Sequence, residues 1–471
     1  MSAITQRLSF REKFSYGFGD LASVLYWQTF MLYFTFFYTD VFLIPAGVAA
    51  TMFLISRIWD GVNDPMMGII ADRTKTRWGK FRPYLLWLCV PFAVMGVLTF
   101  TVPDFGYTGK LIWAYATFIG IMMLYTAINI PYTALLGVIS ADSNERTTVS
   151  SMKFLFAFAA GIIVSATLLP MVRTLGHGND AKGWQSSFII YGIAAIVFFL
   201  IAFLGTKERV QPPKSQKSSV KQDLKELVTN KPWLILLATT ITFILFVAIR
   251  GSVTVHYFKY FIGTKTVNIP LVGTKTVGFE YMASIFNTVG QISSFLGVLL
   301  ISWFARKIGK KKAFIIMFVI AIFSTSMYYF FSADQLFLIF LFQVIGSMTG
   351  GPLSVLLWAM YADTADYAEW KNGRRATGLV FSASTMSQKF GWAFGAYVAL
   401  TLMSQVGFQA NQAQSAESLN GLLLLFSIVA GAFGVVSVIL SVIYPLNDKK
   451  VEQIQNELIA RREQSGENEA E

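Results

Sequence analysis

The chain has 471 residues, 55% of them hydrophobic and only 14% charged, against roughly 25% charged in soluble globular proteins. A water-soluble core cannot bury that much apolar surface, so the bilayer is the implied solvent. The net charge of +12, a nucleic-acid signal in a soluble protein, falls here in short basic loops between apolar runs, which excludes that reading; the single cysteine, Cys89, excludes an intramolecular disulfide and a cysteine metal cluster.

Apolar runs fall at about 14–42, 45–71, 83–102, 109–139, 151–175, 184–205, 233–262, 278–304, 313–331, 335–361, 375–404 and 420–446. Each is about as long as a helix needs to be to cross the hydrocarbon. The first run follows Arg7, Arg11 and Lys13, is too long for a signal-peptide core and has no small-residue cleavage site after it, so it reads as a retained span. The prediction is an all-α integral membrane protein of twelve transmembrane helices arranged as two six-helix bundles. The bundles span 1–205 and 233–446, joined by a cytoplasmic linker at 206–232 and followed by a cytoplasmic tail at 447–471.

Lysine and arginine collect in alternate loops, which stay cytoplasmic. One side holds Arg73, Lys75, Arg77, Lys80 and Arg82, the linker, then Arg306, Lys307 and Lys310 to Lys312, then Lys371, Arg374 and Arg375. Both termini are therefore expected in the cytoplasm. Between spans seven and eight, Gly263-Thr-Lys-Thr-Val267 repeats as Gly273-Thr-Lys-Thr-Val277, which predicts an exterior hairpin. In the tail, Val451, Ile454, Leu458 and Ile459 lie at helical spacing, as in a surface-bound or frayed cytoplasmic helix.

Ionisable residues inside spans are costly and mark function. Asp20 lies two turns into span one, flanked by glycines that permit close approach. Asp60 and Asp64, four apart on span two, share a helix face, where two carboxylates repel unless a proton or cation sits between them. That is the chemistry of a coupling-ion site, Na+ being one ion it could hold. Asn129 stands beside Pro131 in span four, where a broken backbone hydrogen bond can line a cavity. Tyr26, Trp27 and Tyr125 could stack on a sugar ring. Lys389 lies deep in span eleven, too far from the basic start of that span to snorkel. Asp363, Asp366 and Glu369, spaced by three at the cytoplasmic end of span ten, face Arg374 and Arg375 and suggest a salt-bridge gate, with Asp72 and Arg73 in the matching loop after span two.

At these residues the sequence resembles the glycoside–pentoside–hexuronide:cation symporter family (melibiose-permease-like) of the major facilitator superfamily. The resemblance rests on Asp60…Asp64-Pro65, the Ala71-Asp72-Arg73…Gly79-Lys80-Phe81-Arg82-Pro83 loop, and Ala362-Asp363-Thr-Ala-Asp366-Tyr367…Lys389. It implies the major facilitator fold and symport of a sugar or glycoside with H+ or Na+ by alternating access across a bacterial inner membrane. It assigns Asp60 and Asp64 to the cation site and Asp20 to the sugar. Lys389 would link the two sites, and Thr126 and Asn129 match span-four positions at both. Two departures stand out. The melibiose permease has an aspartate where this chain has Asn129, which favours proton coupling although an amide carbonyl can still ligate Na+. Lys153 stands where an arginine would grip sugar hydroxyls, and lysine supplies charge without the planar fork.

The implied partners are a small sugar or glycoside, a coupling cation and the lipid bilayer, with no cofactor, no nucleic acid and a monomeric state. A lipid or drug transporter of the same fold is the alternative. His177 and His256 form no metal motif, and neither a phosphate-binding glycine loop nor a nucleophile elbow is present, so neither an enzyme nor an ATP-driven pump is expected.

Overall fold

The computed structural model describes residues 8–140, 143–209, 228–269, 273–372 and 377–465. Its first half is a succession of long helices: α1 (Phe10–Phe36, prolonged by a π-helical turn Phe37–Val41), α2 (Ala46–Arg73), α3 (Pro83–Thr99), α4 (Tyr107–Ile139), α5 (Ser143–Gly176) and α6 (Asp180–Gly205). Their starts follow ordinary capping chemistry. The Ser9 hydroxyl accepts from the Glu12 amide at 3.2 Å, Asn179 accepts from Lys182 at 3.1 Å, and Pro83 opens α3, where its missing N–H costs nothing.

The second half begins with α7 (Lys231–His256), carried on by a π-helical turn Tyr257–Ile262. The repeated Gly-Thr-Lys-Thr-Val segments form the expected hairpin, with β1 (Lys265–Ile269) antiparallel to β2 (Gly273–Val277) and Lys265 opposite Val277. Then come α8 (Phe279–Ile308), α9 (Lys310–Ser326), α10 (Leu336–Gly350), α11 (Leu353–Asn372) and α12 (Thr377–Gln405). The run predicted as one span at 335–361 lies in a single apolar segment, Leu336–Lys371, which is interrupted between α10 and α11 at Pro352, whose nitrogen has no hydrogen to donate. The final run is α13 (Ala416–Leu424), a π-helical turn and α14 (Ala430–Ile443), and the tail forms α15 (Asp448–Ser465).

Eight helical segments among the described residues are long and apolar enough to cross a membrane. The others are α1, α2, α3 and α12; three of these carry Asp20, Asp60 with Asp64, and Lys389, ionisable groups that lower hydropathy. Side chains such as Ile69, Ile70, Leu204 and Phe337 are more than half exposed, as lipid-facing residues are.

The chain divides into two compact units. The first comprises residues 1–214, 252–291 and 400–419. In it α1 packs on α5 and α6, α3 on α4 and α6, and α2 on α4. Its core is aromatic: Phe100 stacks on Phe188 at 3.7 Å and on Trp184 at 5.3 Å. The free thiol of Cys89 is buried there. The second unit comprises residues 215–251, 292–399 and 420–471. There α9 packs against α10 and α14, and α15 packs against α11. The tail helix buries Val451, Ile454 and Leu458, so its apolar stripe is spent on protein rather than on a membrane surface.

Candidate functional site

Glycines set the first part of the site. A Cβ on Gly19 would lie 2.4 Å from the Tyr132 ring, and one on Gly17 would lie 2.5 Å from Phe156, so both positions need the missing side chain for α4 and α5 to close on α1. Tyr16 and Tyr132 stack at 4.6 Å and exchange hydrogen bonds, each hydroxyl donating to the other residue's carbonyl, at 3.1 and 2.8 Å. This clamp ties α4 to the backbone of α1 one turn before Asp20. Asp20 is buried, and its Oδ1 lies 3.7 Å from the Lys153 ammonium, which rests 5.7 Å from the Tyr132 ring centre. A pair that loose leaves room for a hydroxyl to bridge anion and cation.

The second part lies on α2 and α4. Asp60 is 3% exposed, and Asp64, one turn on, is half-buried. The Thr126 hydroxyl donates to Asp64 Oδ1 at 2.9 Å. Asn129 follows Thr126 by three residues on the same helix face, and its buried Oδ1 accepts no hydrogen bond among the described residues. Two carboxylates, a hydroxyl and a bare amide oxygen are hard oxygen ligands of the kind a small cation takes. No group of three or more His, Cys, Asp or Glu side chains is placed to hold a metal among the described residues.

Of the aromatic candidates, Trp27 and Tyr125 stack on each other at 5.5 Å. Tyr26 is fully buried and packs on Phe92 and Phe188, so it is core rather than a sugar platform. Lys389 is half-buried on α12 in the second unit.

At the predicted cytoplasmic gate, Arg374, Arg375 and the Asp72 side chain lie outside the described residues, and Arg73 is exposed. Asp363 takes its cation from another loop: Lys310 Nζ donates to Asp363 Oδ1 at 2.7 Å, while the Lys310 amide donates to Asp448 at 3.0 Å. Asp366 and Glu369 follow on the same helix, half-buried. In the first unit the Glu208 carboxylate accepts the backbone N–H groups of Lys80, Phe81 and Arg82 at 2.8, 2.7 and 2.9 Å. Glu12 grips Arg209 at 2.5 and 2.8 Å, and its hydrogen bonds hold that guanidinium above its ordinary pKa.

Sequence reasoning missed a cluster at the opposite end of α1. The Asp40 carboxylate, fully buried, accepts from Lys259 Nζ at 2.7 Å and from the Tyr260 hydroxyl, and its Oδ2 lies 3.0 Å from His256 Nε2 and 2.7 Å from the Thr39 hydroxyl. The Asn411 amide donates to the Asp40 carbonyl at 2.7 Å. His256 Nδ1 has no hydrogen-bond partner among the described residues. Nearby, Arg173 pairs with Glu280 at 2.6 Å. The available signal was that both histidines, Lys259 and Asp40 fall at the ends of predicted spans on one side.

The chain matches the family described as MFS/sugar transport protein over residues 15–448. It is 38% identical over 415 residues to the isoprimeverose transporter of Lactiplantibacillus pentosus, covering 87% of this chain and 83% of that protein. It is 34% identical to the putative glycoside/cation symporter YagG of Escherichia coli K12, covering 98% and 97%. Among solved structures, the nucleoside transporter NupG superposes with a TM-score of 0.60 at 12% identity, covering 93% of this chain and 98% of that one, which speaks for the fold alone.

Proposed function

Because the chain belongs to the family of MFS/sugar transport proteins, we propose that it is a secondary active transporter that carries a sugar or glycoside together with a cation, H+ or Na+, by alternating access. The observation that carries this reading is the pair of Asp60, buried, and Asp64, half-buried, one turn apart on α2, with Asp64 bonded to Thr126 at 2.9 Å. Two carboxylates on one helix face in a low dielectric repel each other. A proton on one, or a Na+ held by both together with Asn129, relieves the repulsion.

Asp20 and Lys153 take the sugar, since anion and ammonium 3.7 Å apart accept from and donate to hydroxyls at once. Lys389 is assigned the link between sugar and cation by the family pattern. Coupling arises when each ligand raises the affinity for the other, a reciprocal term of about 1–3 kcal/mol. With both termini in the cytoplasm, the Asp40 cluster closes the exterior ends of α1 and α7, and Lys310 with Asp363 belongs to the cytoplasmic side. The relatives named as glycoside and isoprimeverose transporters support the substrate class.

Reconstitution into liposomes tests the proposal. Addition of glycosides outside should drive uptake that depends on a proton or sodium gradient; uptake indifferent to both gradients contradicts symport.

A further inference from the structure

Polar side chains recur inside predicted spans of the first unit on α1, α5 and α8, among them Gln28, Tyr33, Ser165, Ser284, Asn287 and Gln291. Four of these are deeply buried, at no more than 8% exposed: Ser165 Oγ and Ser284 Oγ lack a partner among the described residues, and the Tyr33 hydroxyl and the Asn287 amide lie within reach of each other. The other two, Gln28 and Gln291, are half-buried. Leaving polar groups unpaired away from water is costly, so such a set calls for something that satisfies it.

These residues form one strip. On α8, Ser284, Asn287 and Gln291 are spaced by three and four and so share a face. On α5, Ser165 lies one turn beyond Gly161. On α1, Tyr33 lies beside Asn287 and Gln28 lies deeper. The three helices meet at Gly161, where a Cβ would come within 3.3 Å of Gln291 Oε1 and 3.9 Å of Gln28 Cδ. Glycine there leaves both amides room to turn toward a ligand.

The strip is in register with the sugar pair. Gln28 follows Asp20 by eight residues and Gly161 follows Lys153 by eight, so Gln28 on α1 and Gly161 on α5 each sit about 12 Å farther along the helix axis. That offset is comparable to the long dimension of two linked sugar rings.

We propose that Gln28 and Gln291, facing each other over Gly161, form a second subsite that reads the hydroxyls of the second ring of a disaccharide-type glycoside whose first ring is held by Asp20 and Lys153. A primary amide donates and accepts at once, which suits a ring hydroxyl, and Asn287, Ser284, Ser165 and Tyr33 continue the same chemistry along the strip. The inference deepens the sugar-transport reading and rests on it.

The test is binding by the full-length protein in detergent. Xylosyl and galactosyl disaccharides are each compared with the methyl glycoside of their non-reducing ring. For the wild-type protein the disaccharide is expected to bind at least tenfold tighter than its methyl glycoside. In Gln28→Leu and Gln291→Leu that preference should fall to about twofold or less, while methyl-glycoside binding, which also reports folding, stays within about twofold. A preference that survives both substitutions overturns the subsite alone. Parallel loss of both ligands overturns it too, since a subsite for the second ring cannot weaken the first. If the folded wild-type protein binds no sugar in the panel, the transport reading fails and the subsite falls with it.

Discussion

Lys259 Nζ lies 2.7 Å from Asp40 Oδ1, and the carboxylate it meets has no exposed side-chain surface. Two residues 219 apart in sequence thus form a buried ion pair at one end of the first unit, reinforced by His256, Tyr260 and Asn411. Removing one member of such a pair strands the other, at a cost of about 3–5 kcal/mol for full burial. Lys259 is 18% exposed, so the lower end applies. In a Cys89→Ser background with Gln28→Cys as reporter, Asp40→Ala is expected to raise labelling by an impermeant maleimide from the exterior several-fold. Unchanged labelling would separate this cluster from closure.

At the proposed cation site, Thr126→Ala removes a hydroxyl that donates to Asp64 at 2.9 Å. Hydrogen bonds to charged groups contribute about 1.5–3 kcal/mol, so the cation concentration giving half-maximal sugar uptake should shift by about tenfold or more. Uptake titrated against pH and against sodium measures this, and a shift below twofold in both would remove Thr126 from the site.

Asn129→Asp restores the carboxylate that the melibiose permease has there. With a third carboxylate beside Asp60 and Asp64, sodium should stimulate uptake more strongly than in the wild type. Stimulation that is flat or reduced would show that the Asn129 amide oxygen, which accepts no hydrogen bond among the described residues, does not face the ion.

Gly19→Ala pushes a methyl group to 2.4 Å from Tyr132, whereas Gly68, also on a helix, has nothing within 4 Å of its added Cβ. Overpacking costs about 1–3 kcal/mol, so Gly19→Ala should lower the thermal unfolding midpoint in detergent while Gly68→Ala leaves it unchanged or slightly raises it. Equal midpoints for the two variants would mean that the α1–α4 approach is looser than described.

The helices were legible because apolar runs of membrane length leave few alternatives, and the hairpin because its two strands repeat one sequence. The π-helical turns at Phe37–Val41 and Tyr257–Ile262 were not, since one extra residue in a turn changes no hydropathy. Among the candidate site residues, Asp60, Asp64, Asp20 and Lys389 stood out as charges in apolar runs. Asp40 and Lys259 did not, because a charge at a span end is ordinary until a distant partner is seen to bury it. Lys310 as the partner of Asp363 was hidden for a similar reason: the nearer arginines at 374 and 375 were the obvious candidates on sequence spacing alone. The Gln28 and Gln291 amides carry no charge, and only their meeting over Gly161 singles them out.

The most direct test of the central claim is sugar-triggered proton or sodium entry into liposomes carrying the wild-type protein or Asp64→Asn. The account expects a glycoside to drive external alkalinisation or sodium uptake with the wild-type protein and neither with Asp64→Asn, whose uncharged amide no longer needs a cation beside Asp60. Full coupling in the Asp64→Asn protein would contradict it.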